Sequence, residues 1–109
     1  MNSKFYVSLE AARLLKEKGY NEETEYTIDN NGRIWMGEYI DDCDFPCPTK
    51  AEVIDWLESK GMCIVVFRRT IDNEVGWRYV IHGQTEIISG FKTRLEAEET
   101  AIIRACELL

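Results

Sequence analysis

Residues 49–52 are Thr49-Lys50-Ala51-Glu52, and residues 93–96 are Thr93-Arg94-Leu95-Glu96. Each stretch has the pattern of a capping box, in which the threonine hydroxyl accepts a bond from an amide of the first turn and the glutamate accepts one from the cap amide. The first predicts a helix that Gly61 ends, and the second predicts a helix that continues to Leu109. Three β-rich segments lie between them, so residues 49–109 are predicted to form an α-β-β-β-α unit.

The three intervening segments have the residue patterns of strands. Residues 62–70 predict a strand whose continuous apolar run indicates burial on both faces before the strand emerges at Arg68-Arg69. Asp72-Asn73-Glu74 predicts a turn. In residues 77–82, side chains expected to face the core then alternate with side chains on a more solvated face, which predicts a strand. Gly83 predicts a further turn, followed by a short strand around residues 85–89.

The N-terminal 40 residues predict a helix and a hairpin. Ser8 is a favoured N-cap, and Gly19 is a favoured helix end. Asn30-Asn31-Gly32 separates the β-rich residues 24–29 and 33–39, and Asn-Gly between such runs is the strongest short hairpin signal. Residues 41–48 contain two prolines and are predicted to be a loop.

These patterns together predict one α+β domain: an antiparallel sheet of three to five strands with the helices packed on one face. The domain comprises a helix and hairpin over residues 1–40, a loop over residues 41–48 and the unit over residues 49–109. A length of 109 residues suits a single domain, and 45% hydrophobic content is ordinary for a globular protein. The predicted core consists of Val53, Ile54, Leu57, Ile64, Val66, Tyr79, Ile81, Ala101, Ile102 and Ala105.

The net charge of −7 is concentrated in one segment. Residues 22–44, here called the acidic segment, hold eight acids and one base, whereas the other residues hold twelve of each. The segment is interpreted as solvated surface or, in the sharper hypothesis, as a phosphate mimic that blocks a host nucleic-acid enzyme by binding a basic partner. The candidate partner-binding residues are Glu23, Glu25, Glu38, Asp41, Asp42 and Asp44.

No residue pattern indicates catalysis or a cofactor. The chain has one histidine, His82, and no phosphate-binding glycine loop. Cys43 and Cys47 are a single close pair, whereas structural zinc takes four ligands. A calcium loop aligned on Gly32 would have Thr27 at its first ligand position, and the hairpin explains the same residues. We predict no enzyme activity, no cofactor and no metal.

The order of elements in residues 49–109 resembles the double-stranded-RNA-binding domain. That family grips the RNA backbone with a basic cluster at the start of its last helix, where this chain has three acids and two bases in residues 92–99. The resemblance is therefore one of topology. Arg68, Arg69 and Arg78 are the candidate nucleic-acid contacts, and nucleic acid is the disfavoured partner.

Most of the chain also resembles a group of small uncharacterised proteins of prophages and mobile elements in gut bacteria. The resemblance rests on residues 18–20, 48–57, 77–79 and 91–97, which are predicted scaffold positions. It implies a non-catalytic interaction module or accessory protein of a phage or mobile element, with an unknown protein partner. No apolar run approaches the roughly 20 residues of a membrane helix, and the N-terminus lacks a secretory apolar stretch, so a cytoplasmic location is expected.

Overall fold

A computed structural model describes residues 2–37 and 44–109. Within these residues the chain forms three α-helices and six strands, which confirms the predicted α+β class. A short 3-10 turn, Ser3–Phe5, precedes them. The helices are α1 (Leu9–Glu17), α2 (Lys50–Ser59) and α3 (Arg94–Leu108), and the strands are β1 (Tyr26–Ile28), β2 (Ile34–Met36), β3 (Phe45–Pro46), β4 (Ile64–Ile71), β5 (Glu74–Ile81) and β6 (Ile88–Phe91).

The three helices begin at the predicted caps. Ser8 Oγ accepts from Ala11 N at 3.2 Å, and Thr49 and Glu52 form the complete capping box. The second predicted box is wrong in one of its two bonds. Thr93 accepts from Glu96 N, but the Glu96 carboxylate accepts from Lys92 N at 3.1 Å, one residue before the cap. The two N-cap residues also differ in backbone conformation, since φ is −131° at Thr93 and −69° at Thr49.

The first sheet has the strand order β2-β1-β3 and contains the predicted hairpin, with shorter strands than expected. Strand β3 corrects the prediction of a loop over residues 41–48, of which residues 41–43 lie outside the described part. Cys47, just after β3, donates its N to Tyr26 O at 3.1 Å, so the preceding residue, Pro46, has its nitrogen on the side away from β1. A proline is tolerated there because an edge strand needs no donor on its outer side.

The second sheet is an antiparallel meander with the order β4-β5-β6. The predicted turn is confirmed: Asp72 and Asn73 have φ values of 52° and 66°, and Ile71 pairs with Glu74. Positive φ at both central residues is the two-residue hairpin geometry that matches strand twist. Strand β6 begins later than predicted, and an irregularity at Trp77 and Arg78 interrupts its pairing with β5.

The faces of this second sheet differ in burial. Residues that pair across β4 and β5 lie on the same face of the sheet. One face, here called the inner face, packs on α2 and α3. The opposite face, formed by the alternate residues, is here called the outer face. The inner face includes Ile64, Tyr79 and Ile81, which are buried. The outer face consists of Val65, Phe67, Arg69, Ile71, Glu74, Gly76, Arg78 and Val80.

The prediction that the apolar run before Arg68-Arg69 is buried on both faces is wrong, whereas the predicted emergence at those two arginines agrees with their exposure. Val65, on the outer face, is 47% exposed, because the helices cover only the inner face. An apolar run of this length does not by itself reveal how many layers cover a strand.

The predicted core is otherwise confirmed. Eight of the ten predicted residues are buried, while Ile54 and Val66 are partly buried and pack against the cluster. The same cluster includes Ala11 and Leu15 of α1 and Ile28 of β1. Both sheets therefore contribute to one hydrophobic core, in which α1 contacts α3.

Candidate interaction surface

The outer face of the second sheet carries apolar side chains, of which Val65 is exposed and Phe67 and Val80 are partly exposed. Val65 pairs with Val80, and Phe67 pairs with Arg78 in the adjacent position. None of the three apolar residues belongs to the core cluster or packs against it. Because the described helices contact this sheet on its inner side, a small apolar patch lies open on the outer side.

The β4–β5 hairpin continues this face beyond the helices. Residues 68–75, here called the hairpin arm, are all exposed, on inner and outer positions alike. Ile71 and Val75 of the arm are each about half exposed (48% and 47%). The arm therefore offers apolar contacts on both of its faces.

The structure divides the three candidate arginines between the two faces. Arg69 pairs with Gly76 and Arg78 with Phe67, so these two arginines are diagonal neighbours on the outer face. Arg68 pairs with Trp77 and lies on the inner face. Arg69 and Arg78 line a shallow groove of about 560 Å³, together with Lys92 of the following segment.

The acidic candidates are only partly described. Glu23 and Glu25 are exposed, and Asp44 is partly exposed. The Asp44 carbonyl oxygen accepts from Lys16 Nζ at 2.9 Å, which ties this end of the acidic segment to α1. Glu38, Asp41 and Asp42 lie outside the described residues, so a shared acidic face stays a prediction.

Asp29 has a structural role in the hairpin loop. Its Oδ1 accepts from the backbone amides of Asn31 and Arg33, both at 2.9 Å. The carboxylate therefore closes its own turn, as Asx residues commonly do. The described residues contain no group of three or more His, Cys, Asp and Glu side chains arranged to hold a metal ion.

Cys47 is a buried thiol, although it lies in the segment predicted as a loop. Its Sγ donates to Val7 O at 3.8 Å, and burial raises its pKa to about 11. Burial likewise raises the pKa of Cys106 to about 11. Cys63 is partly exposed, so its predicted burial is only partial, and Cys43 lies outside the described residues.

We expect the folded protein to protect Cys47 and Cys106 from alkylation at pH 8 while Cys63 reacts. The thiolate is the reactive form, and burial disfavours it at the first two positions. Because the folded state raises both pKa values, these two thiols stabilise the fold fully below the ordinary thiol pKa near 9. Their contribution to the free energy of unfolding is lost as the pH rises toward about 11. Mass spectrometry after iodoacetamide treatment, with a urea-unfolded control, measures the protection. Equal labelling of Cys63 and Cys47 in the folded state would contradict the expectation.

A buried lysine was not anticipated from the sequence. Lys50, the first residue of α2, is only 7% exposed, and its Nζ donates to Lys4 O at 2.7 Å. The same Nζ lies 3.9 Å from Glu99 Oε2, and Glu99 Oε1 accepts from Ser8 N at 3.1 Å. Glu99 Oε2 is buried without a hydrogen bond, so at 3.9 Å its contact with Lys50 is one of charge only. This pair joins the N-terminal segment to α2 and α3.

No protein-family model, curated protein or solved structure matches this chain. Among the described residues, no helix has the length and apolar character that crossing a membrane requires.

Proposed function

We propose that this protein is a non-catalytic protein-interaction module that binds its partner with the outer face of the second sheet. The observation that supports this is the open apolar patch of Val65, Phe67 and Val80, which no described element covers. Contiguous exposed apolar surface on a folded domain commonly marks an interaction site. The resemblance to prophage proteins suggests a cytoplasmic accessory protein of a phage or mobile element as the setting.

The composition of the outer face suits a protein partner. Phe67 lies directly opposite Arg78, and aromatic and arginine side chains are enriched in protein interfaces. Val65 and Val80 extend the apolar area on one side of this pair. Arg69 and Arg78 add positive charge at the rim, which Glu74 on the same face offsets in part. The remaining positive charge favours a partner with acidic groups around an apolar centre.

Replacing Val80 by lysine is expected to abolish partner capture while preserving the fold. Val80 lies on the central strand and the outer face, so a charge there disrupts the patch without entering the core. Met36→Lys is the matched control, because Met36 is exposed on the other sheet. The measurement is capture from host lysate on immobilised protein, after nuclease treatment, with circular dichroism to check folding.

The capture experiment has three informative outcomes. A protein retained by the wild type and by Met36→Lys, and lost with Val80→Lys, supports the proposal. Equal retention by all three proteins would place the binding site elsewhere, and no retained protein would overturn the proposal.

Nucleic-acid binding is the second candidate, because Arg69 and Arg78 share the outer face with the Phe67 ring. Arg68 does not join them, which removes one of the three expected contacts. Retention that disappears on nuclease treatment and weakens steeply with salt would favour this candidate, since phosphate contacts release counterions.

A further inference from the structure

Strand β4 is an open edge of the second sheet. The order β4-β5-β6 leaves one side of β4 without a partner strand among the described residues. At eight residues it is long for an edge strand, and it contains no proline. Natural edge strands are usually short, charged, interrupted or covered, because unpaired backbone groups template pairing with another chain. Among the described residues, the only one of these devices that β4 has is charge, at Arg68 and Arg69.

The hydrogen-bond pattern identifies which residues of β4 face the open side. His82 N donates to Cys63 O at 2.8 Å, so Cys63 and His82 form a hydrogen-bonded pair at the start of the ladder. Antiparallel ladders alternate, and the register of β4 with β5 runs without a shift from Ile64 to Ile71. The free amide and carbonyl groups therefore belong to Ile64, Val66, Arg68 and Thr70.

We propose that a second copy of the chain pairs with this edge, antiparallel, about a twofold axis at Phe67. The free amide and carbonyl groups of β4 all belong to even-numbered residues. They can form hydrogen bonds with those of a second copy only in registers that place even-numbered residues opposite even-numbered residues. Two such registers pair seven residues of β4. One centres on Phe67, and the other centres on Arg68.

Charge selects between these two registers. Centring on Arg68 places that arginine opposite its equivalent, and like charges directly opposed destabilise a strand pair. Centring on Phe67 places Arg68 opposite Val66 and Arg69 opposite Val65, and it brings the two Phe67 rings together. The resulting six-stranded sheet joins the two outer faces into one surface. This inference concerns the edge of the sheet and stands whether or not a foreign protein binds the face.

The proposed register predicts opposite effects for Val65→Glu and Val65→Lys. Val65 is exposed at the surface, so neither change enters the core. In the proposed dimer, residue 65 of each copy lies opposite Arg69 of the other copy, so each substitution alters two equivalent contacts. We expect the dimer dissociation constant to fall about fivefold with glutamate and to rise about fivefold with lysine. The overall charge of −7 works in the other direction, since glutamate adds to the repulsion between chains and lysine reduces it. The sign of the effect therefore separates local pairing from net charge.

Sedimentation equilibrium over a dilution series measures these constants at about 0.15 M salt. A dimer that tightens with glutamate and weakens with lysine supports the inference. A wild-type protein that stays monomeric at about 1 mM would overturn it. Constants that move together, or in the reverse order, would show that any dimer uses another surface. The dimer is measured on the purified protein alone and partner capture is measured from lysate, so failure of this inference is distinguishable from failure of the proposed partner surface.

Discussion

Replacing Ile102 by alanine is expected to lower the free energy of unfolding by about 3–4 kcal/mol. Ile102 lies on α3 at 0% exposure, within the cluster that joins α1, α2 and both sheets. Removing its side-chain methyl and methylene groups loses their transfer free energy and leaves a cavity that close-packed neighbours fill only in part. The measurement is urea unfolding followed by tryptophan fluorescence and circular dichroism.

Ile87→Ala is the matched control, since it removes the same atoms from a side chain that is 54% exposed. Its effect should stay within about 0.5 kcal/mol. Because α1 and α3 share the core, both sheets should unfold in one transition in wild type and variant alike. A biphasic transition, or equal losses for Ile102 and Ile87, would contradict a shared core.

Local sequence signals predicted most element boundaries. Ser8, Thr49 and Thr93 mark the helix starts because a cap satisfies amides within the same few residues. Asn31-Gly32 and Asp72-Asn73 mark the two hairpins because their backbone requirements are equally local. These features depend on near neighbours in the chain, so sequence alone carries them.

Features that depend on distant residues were predicted poorly. Strand β3 forms because it pairs with the edge of β1, and no residue pattern within 41–48 indicates that pairing. The exposure of Val65 depends on which face the helices cover, and the burial of Lys50 depends on Lys4 and Glu99, both far from it along the chain. The same applies to the interaction surface. Strand periodicity already places Arg68 and Arg69 on opposite faces, but only the register shows that Arg78 joins Arg69.

Replacing Lys50 by methionine is expected to lower the free energy of unfolding by about 2 kcal/mol. The change keeps an apolar stem in the buried site but leaves the Glu99 carboxylate without its only nearby cation among the described contacts. It also leaves Lys4 O without the Lys50 donor. The expected loss lies below that for a fully buried pair, because Glu99 is partly exposed and retains the Ser8 amide as a donor. Lys92→Met, at an exposed position, is the control and should change stability little.

The double variant Lys50→Met/Glu99→Gln separates charge from packing. Glutamine removes the unpaired charge and retains an oxygen that accepts from Ser8 N, so the double variant should be more stable than Lys50→Met alone. We expect a recovery of about 1 kcal/mol in a double-mutant cycle measured by urea unfolding. Losses that simply add would mean that the two side chains do not interact and that Lys50 stabilises the fold through Lys4 O and the packing of its stem. Recovery would instead show that the charge pair joins α2 to α3, the two helices that cover the second sheet.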